Sequence, residues 1–182
     1  EGNPRWLINT LSSLMVENSG MKVSLPRQYN KIELTTGAFK SMIASTALTN
    51  NMGISTRIPP IKIIDTVGSY FNKKLIEEEF KADPACSFVV DANVTPDEEN
   101  SIRIALNYGA VVSLNEGEDI WSYRTLRGKK FRLSYLLSPQ LNLPLRKGKS
   151  VNLSSILRGS GDADYMLDAD EALKEQPNLQ LE

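Results

Sequence analysis

The residues of this chain that are best suited to binding chemistry are cations gathered in one stretch of the sequence. Between Ile120 and Ser150 there are eight basic side chains and no acidic one, although the formal net charge of the chain is −1. A local charge of this size attracts phosphates or an acidic protein surface. We therefore predict a nucleic-acid or partner-binding surface that contains Arg124, Arg127, Lys129, Lys130, Arg132, Arg146, Lys147 and Lys149.

A further cation, Arg5, stands at the start of a predicted helix. Asn3 as N-cap and Pro4 at the first helical position predict a helix that runs from Pro4 to about Asn18. An arginine in the first turn opposes the helix dipole, which favours acids there. A guanidinium beside free helix amides is well placed to meet a phosphate. An ordinary solvated side chain is the other interpretation, and the sequence leaves both open.

Several kinds of catalytic site are excluded by composition. The 182 residues contain no His and a single cysteine, Cys86, so a Ser-His-Asp triad, a Cys-His pair, an imidazole zinc site and a disulfide within this chain cannot form. No acidic pair suggests carboxylate catalysis. The sequence shows neither a secretory signal nor a run of about 18 apolar residues, and we expect a cytoplasmic protein with no membrane association and no metal. Because the first helix starts abruptly, we also expect the chain to be part of a longer protein.

The spacing of apolar residues predicts two further helices in the first half of the chain. One runs from about Thr36 to Asn51, and a stronger one from Ile61 to Glu79 or Phe80. Lys22–Ile32, which contains Pro26, is interpreted as a loop.

The strongest local signal lies in the second half. After a short strand at Ser87–Asp91, Thr95 and Glu98 have the spacing of a capping box, which predicts a helix that ends at Tyr108. A strand at Ala110–Leu114 is expected to follow.

A β-hairpin with a basic tip is predicted around Gly128, because apolar and polar residues alternate on both sides of it. With the preceding strands it would form a small antiparallel sheet beside the Thr95 helix. The fold class is thus α+β and mainly helical, with helices followed by a winged-helix unit, in which a helix enters the major groove and the wing contacts phosphates. The aromatic residues could stack on bases, but their alternation favours core packing. The two arms contain Trp121, Tyr123, Phe131, Leu133 and Tyr135.

Acidic residues argue against sequence-specific reading of DNA. Asp97, Glu98 and Glu99 occupy the first turn of the Thr95 helix, where they would repel phosphates, and Arg103 is its one base. Contact of the wing with a nucleic-acid backbone or an acidic protein surface stays open. So does the alternative that the acidic C-terminal segment covers the basic stretch; that segment contains Asp162, Asp164, Asp168, Asp170, Glu171, Glu175 and Glu182 and is interpreted as a mobile tail.

The chain resembles a known family at both ends. The sequence GNPR, Gly2 to Arg5, at a helix start is similar to the sensor 2 motif in the lid of AAA+ ATPases, in particular the origin-recognition-complex type and its STAND relatives. The sequences SFVVD, NYGAVVSL and GKKFRLSYLLSPQLNLPLRKG are similar to the winged-helix part that follows the lid. The resemblance covers roughly residues 1–157.

The resemblance implies four segments and a nucleotide-linked role. Residues 1–33 would be the end of the lid, 34–83 a helical region, 84–158 the winged-helix-like domain and 159–182 the acidic tail. Arg5 would reach the γ-phosphate of ATP bound in a preceding nucleotide-binding domain. The chain departs from the family pattern because it contains no phosphate-binding loop, so by itself it cannot hydrolyse ATP.

Two functions follow from these observations. The first is a C-terminal regulatory and interaction module of an AAA+ or STAND-like ATPase, used for example in replication initiation or antiviral defence, whose parent forms an oligomer or acts alone. The second is a stand-alone winged-helix nucleic-acid-binding domain with no link to an ATPase.

Overall fold

The computed structural model describes residues 4–17, 22–46, 53–77, 83–115, 117 and 124–159, and it confirms the α+β class. Helices occupy the first part of the chain, and a four-stranded sheet is built from the second part. A short 3-10 helix, Tyr135–Leu137, follows the third strand. The elements are α1 (Pro4–Glu17), α2 (Leu25–Ala44), α3 (Pro60–Glu77), β1 (Ala85–Val89), α4 (Pro96–Asn107), β2 (Val111–Ser113), β3 (Lys130–Leu133), α5 (Ser138–Leu141), β4 (Lys149–Asn152) and α6 (Leu153–Arg158).

The first two helices differ in how well the sequence predicted them. α1 begins at Pro4 as expected, whereas the loop predicted at Lys22–Ile32 is wrong, because α2 already starts at Leu25. Pro26 lies in the first turn of α2, where a helix does not need the missing N–H. The predicted end at Asn51 is also wrong. The helix stops at Ala44, and the Ser45 and Thr46 hydroxyls donate to the Met42 carbonyl, which competes with further helical bonding.

α3 supplies the centre of the hydrophobic core. Its inner face buries Ile64, Val67 and Phe71 completely, which confirms the predicted helix and its face. The predicted ends at Glu79 and Phe80 lie outside the described residues. One continuous cluster joins this face to Phe39 of α2 and to the sheet. The boundary proposed between residues 33 and 34 falls inside α2, and the division into domains stays a prediction.

The capping box at the start of α4 is confirmed. The Glu98 amide donates to Thr95 Oγ1 at 3.3 Å, and the Thr95 amide donates to Glu98 Oε2 at 2.7 Å. Such a cap stabilises a helix by about 1 kcal/mol. α4 ends at Asn107 with Tyr108 as C-cap, as its sequence predicted.

The sheet has the strand order β2-β3-β1-β4 and is mixed rather than wholly antiparallel. β3 pairs antiparallel with β2 on one side and with β1 on the other. Trp121 and Tyr123, the predicted first arm of the hairpin, lie outside the described residues, and the arm that pairs with β3 after α4 is β2. β4 was not predicted, because Lys149–Asn152 contains one apolar residue, yet it joins the other edge of β1 in parallel.

The two faces of the sheet have different chemistry. Phe88, Phe131 and Val151 are buried in the same cluster as the apolar residues of α3, α4 and α6. Ser87 and Arg132 alternate with them along β1 and β3 and therefore belong to the opposite face. We call this second face the polar face of the sheet; it carries Ser87, Val89, Lys130, Arg132, Ser150 and Asn152.

Gly148 provides a direct test of how tightly β4 is joined to β1. Its φ is +61°, and a Cβ placed there would lie 2.2 Å from the Pro84 carbonyl oxygen. We expect Gly148→Ala to lower the free energy of unfolding by about 2–5 kcal/mol, measured by urea unfolding, because backbone strain and a clash with main chain add together. Gly128→Ala is the matched control, since Gly128 has φ +75° and no atom within 4 Å of the added Cβ. It should cost about 1–2 kcal/mol; equal losses in the two variants would contradict the close approach at Gly148.

Candidate functional site

Four of the eight predicted basic residues lie together on the loop that leads into β3 and on the first residue of that strand. We call Arg124, Arg127, Lys129 and Lys130 the basic loop cluster. Lys130 pairs with Val89, so the cluster lies at the end of the sheet where β1 stops. Arg124 and Arg127 are exposed, and the two lysines are half-buried.

The carboxylate of Glu99 on α4 holds this loop in place. Glu99 Oε1 accepts hydrogen bonds from the Leu126 amide at 2.7 Å and from Thr125 Oγ1 at 3.0 Å. It also accepts from Arg103 at 3.3 Å, and its other oxygen lies 3.7 Å from Arg127 Nε. The Glu99 side chain is 13% exposed, so these interactions are partly shielded from water. Sequence reasoning treated Glu99 as a repulsive charge and missed this role; its four-residue spacing from Arg103 was the available signal.

Arg127 stabilises a neighbouring loop and is also exposed on the surface. Its guanidinium donates to the Ala92 carbonyl at 3.1 Å and to the Val94 carbonyl at 3.3 Å, which fixes the loop between β1 and α4. On that loop Asp91 accepts from the Ser154 amide at 2.9 Å and so caps α6. Burial acts to raise the pKa of Asp91, but hydrogen bonds from Ser154 and Asn93 outweigh it and hold the pKa below its ordinary value.

The remaining exposed basic residues lie at the opposite end of the sheet. Lys149 pairs with Ala85, the first residue of β1, whereas Lys130 pairs with the last, Val89. Four residues of strand separate these ends by about 13 Å, before the width of the intervening strands is added. Arg146 is held by Asp83 at 2.7 Å. The structure therefore does not bring Arg146, Lys147 and Lys149 together with the basic loop cluster.

Arg132 has a different position from all the other predicted site residues. It is 6% exposed in the middle of β3, and its guanidinium lies 3.6 Å from the centre of the Tyr135 ring. A buried side chain cannot contact a nucleic-acid backbone without rearrangement of the sheet.

α4 offers no exposed surface of the kind that a recognition helix needs. Every described residue from Asp97 to Asn107 is buried or half-buried. Its first turn is bound to the segment before α3, where Thr56 Oγ1 donates to the Asp97 carbonyl at 2.8 Å and Asn100 donates to the Ser55 carbonyl at 2.8 Å. Recognition of the major groove by this helix is therefore opposed by its packing as well as by its acidic first turn.

Arg5 occupies the second position of α1, as predicted, and its side chain lies outside the described part of the structure. The helix carries a stripe of exposed apolar residues, Ile8, Leu11 and Met15, at helical spacing. Leu25 and Leu34 of the adjacent α2 are also exposed, by 78% and 69%. Neighbouring exposed apolar residues of this kind are typical of an interaction surface.

Nucleophilic and metal chemistry find little support in the described residues. Burial raises the pKa of the Cys86 thiol to about 11, so at neutral pH it is the protonated, poorly nucleophilic form. Within the described ranges, no three potential acidic, cysteine or histidine ligands come together for a metal. The helices of the same ranges include none that is long and apolar enough to cross a membrane.

These features define an α+β module with a loop of cations anchored by one carboxylate and an exposed apolar stripe on α1. A scan against protein families matches residues 1–153 to the ORC-CDC6-like family. The chain belongs to this family and is therefore a relative of the ORC/CDC6-type AAA+ ATPases. Neither a search of the curated proteins nor one of the solved structures found a match.

The role of Glu99 can be tested by removing its carboxylate. We expect Glu99→Ala to lower the free energy of unfolding by about 2 kcal/mol, because charge-assisted hydrogen bonds to the loop are lost, and to speed hydrogen exchange of the Leu126 amide. Glu77→Ala is the control, since its pair with Lys73 is exposed on both sides; it should change stability by about 0.5 kcal/mol or less. Unaltered exchange at Leu126 in the Glu99 variant would show that the loop is held by something else.

Proposed function

We propose that the chain is the C-terminal regulatory and interaction module of an AAA+ or STAND-type ATPase. In this role Arg5 senses ATP bound in a preceding nucleotide-binding domain, and the basic loop cluster contacts nucleic acid or an acidic protein partner. The observation that carries the proposal is the family membership over residues 1–153, which includes both Arg5 and the loop. We propose replication initiation or antiviral defence as the process in which the parent protein acts, and we expect the parent to form an oligomer.

A continuous set of contacts supports coupling between the two ends. Thr10 of α1 donates to Thr35 of α2 at 3.2 Å, and the next residue, Thr36, donates to the Leu136 carbonyl at 2.8 Å. From there the hydrophobic cluster reaches α4, whose Glu99 holds the loop. A displacement of α1 would therefore act on packed elements rather than on a flexible linker, which is the physical requirement for coupling.

The apolar stripe on α1 supports a domain partner on the Arg5 side. Ile8, Leu11 and Met15 are 61%, 49% and 68% exposed, although a side chain of α1 that faces α2, Leu14, is buried. We assign this stripe to the preceding nucleotide-binding domain, because it lies on the same helix as Arg5 and would hold the guanidinium near the nucleotide.

The sensor role predicts a specific defect. In a protein that includes the nucleotide-binding domain, Arg5→Ala should reduce ATP-dependent assembly and ATP hydrolysis by about tenfold or more, the loss expected for a cation that stabilises phosphoryl transfer. ATP turnover and native mass measured with and without ATP test this. Arg57→Ala is the control, since Arg57 is exposed in the turn before α3. Full ATPase activity and assembly in the Arg5 variant would refute the sensor assignment.

A nucleic-acid-binding domain without an ATPase link is the second candidate. The exposure of Arg124 and Arg127 on a loop fixed by Glu99 favours it, because an ordered basic loop can contact phosphates with little entropic cost. Since α4 is packed inward, such binding would depend on the backbone and not on sequence.

The two ends of the sheet provide matched variants for this candidate. Lys129→Gln with Lys130→Gln should weaken duplex binding and reduce the slope of log K against log salt by about 2, one for each lost phosphate contact. Lys147→Gln with Lys149→Gln removes the same charge at the opposite end and should have a smaller effect. Fluorescence anisotropy across a salt series measures both. Equal effects would mean that net charge, not the loop, determines binding, and absence of binding at low salt would leave a protein partner.

A further inference from the structure

The side of α2 that faces the hydrophobic core continues beyond that core. Along this side, residues follow one another at alternating intervals of four and three, the spacing at which one helix packs against another. The second half of the row is buried, because Phe39 and Ile43 lie in the hydrophobic cluster and Thr36 donates to the Leu136 carbonyl. The first half is exposed. It consists of Leu25, Tyr29 and Ile32, which are 78%, 54% and 38% exposed, and we call these three residues the α2 seam.

The α2 seam is distinct from the face of α2 that packs against α1. Thr35, which receives a hydrogen bond from Thr10 of α1, lies about a quarter of a turn from the seam around the helix axis. Leu34 is also exposed but lies on the opposite side of α2. The seam is also separate from the stripe on α1 that we assign to a nucleotide-binding domain. It is therefore a further apolar surface without a partner in this structure.

The spacing of the seam indicates what kind of partner fits it. A row of large apolar residues at intervals of four and three offers the holes into which the side chains of a second helix insert. An aromatic and two branched aliphatic side chains along one such row are typical of a helix that packs against another helix.

We propose that the α2 seam pairs with the α2 seam of a second copy of this chain, with the two helices antiparallel about a two-fold axis between Gln28 and Tyr29. This inference stands apart from the proposed function, because it depends on neither Arg5 nor the basic loop cluster.

The position of the core supports the antiparallel orientation. From Thr36 onward, the space in front of the seam is filled by the hydrophobic cluster of the same chain. A parallel second helix would run its own second half into that cluster. An antiparallel helix meets the exposed first half alone, and it places the two cores at opposite ends of the helix pair. A two-fold axis is also the commonest symmetry of dimers, since one surface then serves both copies.

The charges at the two ends of the seam agree with this orientation. Lys22, just before α2, is exposed, and so is Glu33 near the other end of the seam. The Glu33 carboxylate lies beside the Tyr29 hydroxyl and accepts a hydrogen bond from it, which places the charge at the edge of the seam. In an antiparallel pair, Lys22 of one copy approaches Glu33 of the other. A parallel pair would bring like charges together at both ends.

The small size of the seam predicts a weak dimer. Leu25 to Ile32 covers about 10 Å of helix, and each copy contributes three apolar side chains with their flanking residues. Such a surface falls at or below the lower end of specific interfaces, about 1,000–1,200 Å² in total. We therefore expect a dissociation constant in the micromolar range or above.

Sedimentation velocity of the 182-residue chain tests the pairing directly. Over a series from about 1 μM to about 300 μM, the mean mass should rise from that of a monomer toward that of a dimer. Leu25→Glu should weaken this association about tenfold or more, because each copy would bring a carboxylate into an apolar contact.

Leu34→Glu is the matched control for Leu25→Glu. Both variants replace an exposed leucine of α2 by the same residue, so they alter the net charge equally, and neither removes a buried side chain. Leu34→Glu should leave the dissociation constant within about twofold of the unaltered chain. Circular dichroism of both variants should show the helix content and thermal unfolding of the unaltered chain.

Disulfide formation tests the orientation of the two helices. Leu25→Cys chains are mixed with Ile32→Cys chains under mild oxidation, with one of the two chains labelled with ¹⁵N so that the products differ in mass. Antiparallel pairing brings residue 25 of one copy beside residue 32 of the other, so the mixed disulfide should exceed both symmetric ones. Cys86 is buried and is not expected to compete.

Three results would overturn the proposal. The first is a monomer at every concentration. The second is a dimer that Leu25→Glu and Leu34→Glu weaken equally, or that neither weakens, since the contact would then lie elsewhere. The third is a predominance of symmetric disulfides, which would mean that the helices pair in parallel.

Discussion

The Glu99 carboxylate constrains both loops at one end of the sheet. Its side chain accepts hydrogen bonds from the loop before β3 and from Arg103 on its own helix. It also attracts Arg127, which lies on the same loop. Arg127 in turn holds the carbonyls of the loop between β1 and α4. Both loops at this end of the sheet are thus oriented by a single partly buried anion. The first turn of α4 is also packed against the segment before α3, so a helix placed like a recognition helix lacks its reading surface.

The distribution of charge shows why a linear count of cations is a poor guide to a binding surface. The stretch from Ile120 to Ser150 has eight basic residues, but Arg127 and Arg146 face carboxylates and Arg132 is buried. The compensating acids, Glu99 and Asp83, are far away in sequence and come close only when the strands pair. The exposed cations that remain are divided between the two ends of the sheet.

Structural features that depend only on residues close together in the sequence were predicted correctly. The Thr95 capping box, the start of α1 at Pro4 and the buried face of α3 depend on helix geometry alone. The errors concern tertiary context. Pro26 taken alone suggests a loop, but a proline is compatible with the first turn of α2. β4 is a strand because β1 offers it a free edge and not because of its own composition. For the candidate site, binding by the loop cations stays a prediction, and the sequence analysis missed both Glu99 as their anchor and the burial of Arg132.

Arg132 shows that the alternation of side chains along a strand does not by itself determine which of them are exposed. Phe131 and Leu133 face the core, so Arg132 and Lys130 must face away from it, and in a sheet with one solvated face they would both be ordinary surface cations. In the structure, Arg132 in the middle of β3 is buried, whereas Lys130 at the start of the same strand is half-buried. Stacking on the Tyr135 ring and a hydrogen bond to the Leu133 carbonyl offset part of the cost of burying this charge. The burial of this charged residue is thus determined by tertiary packing over the sheet, which no pattern within β3 could indicate.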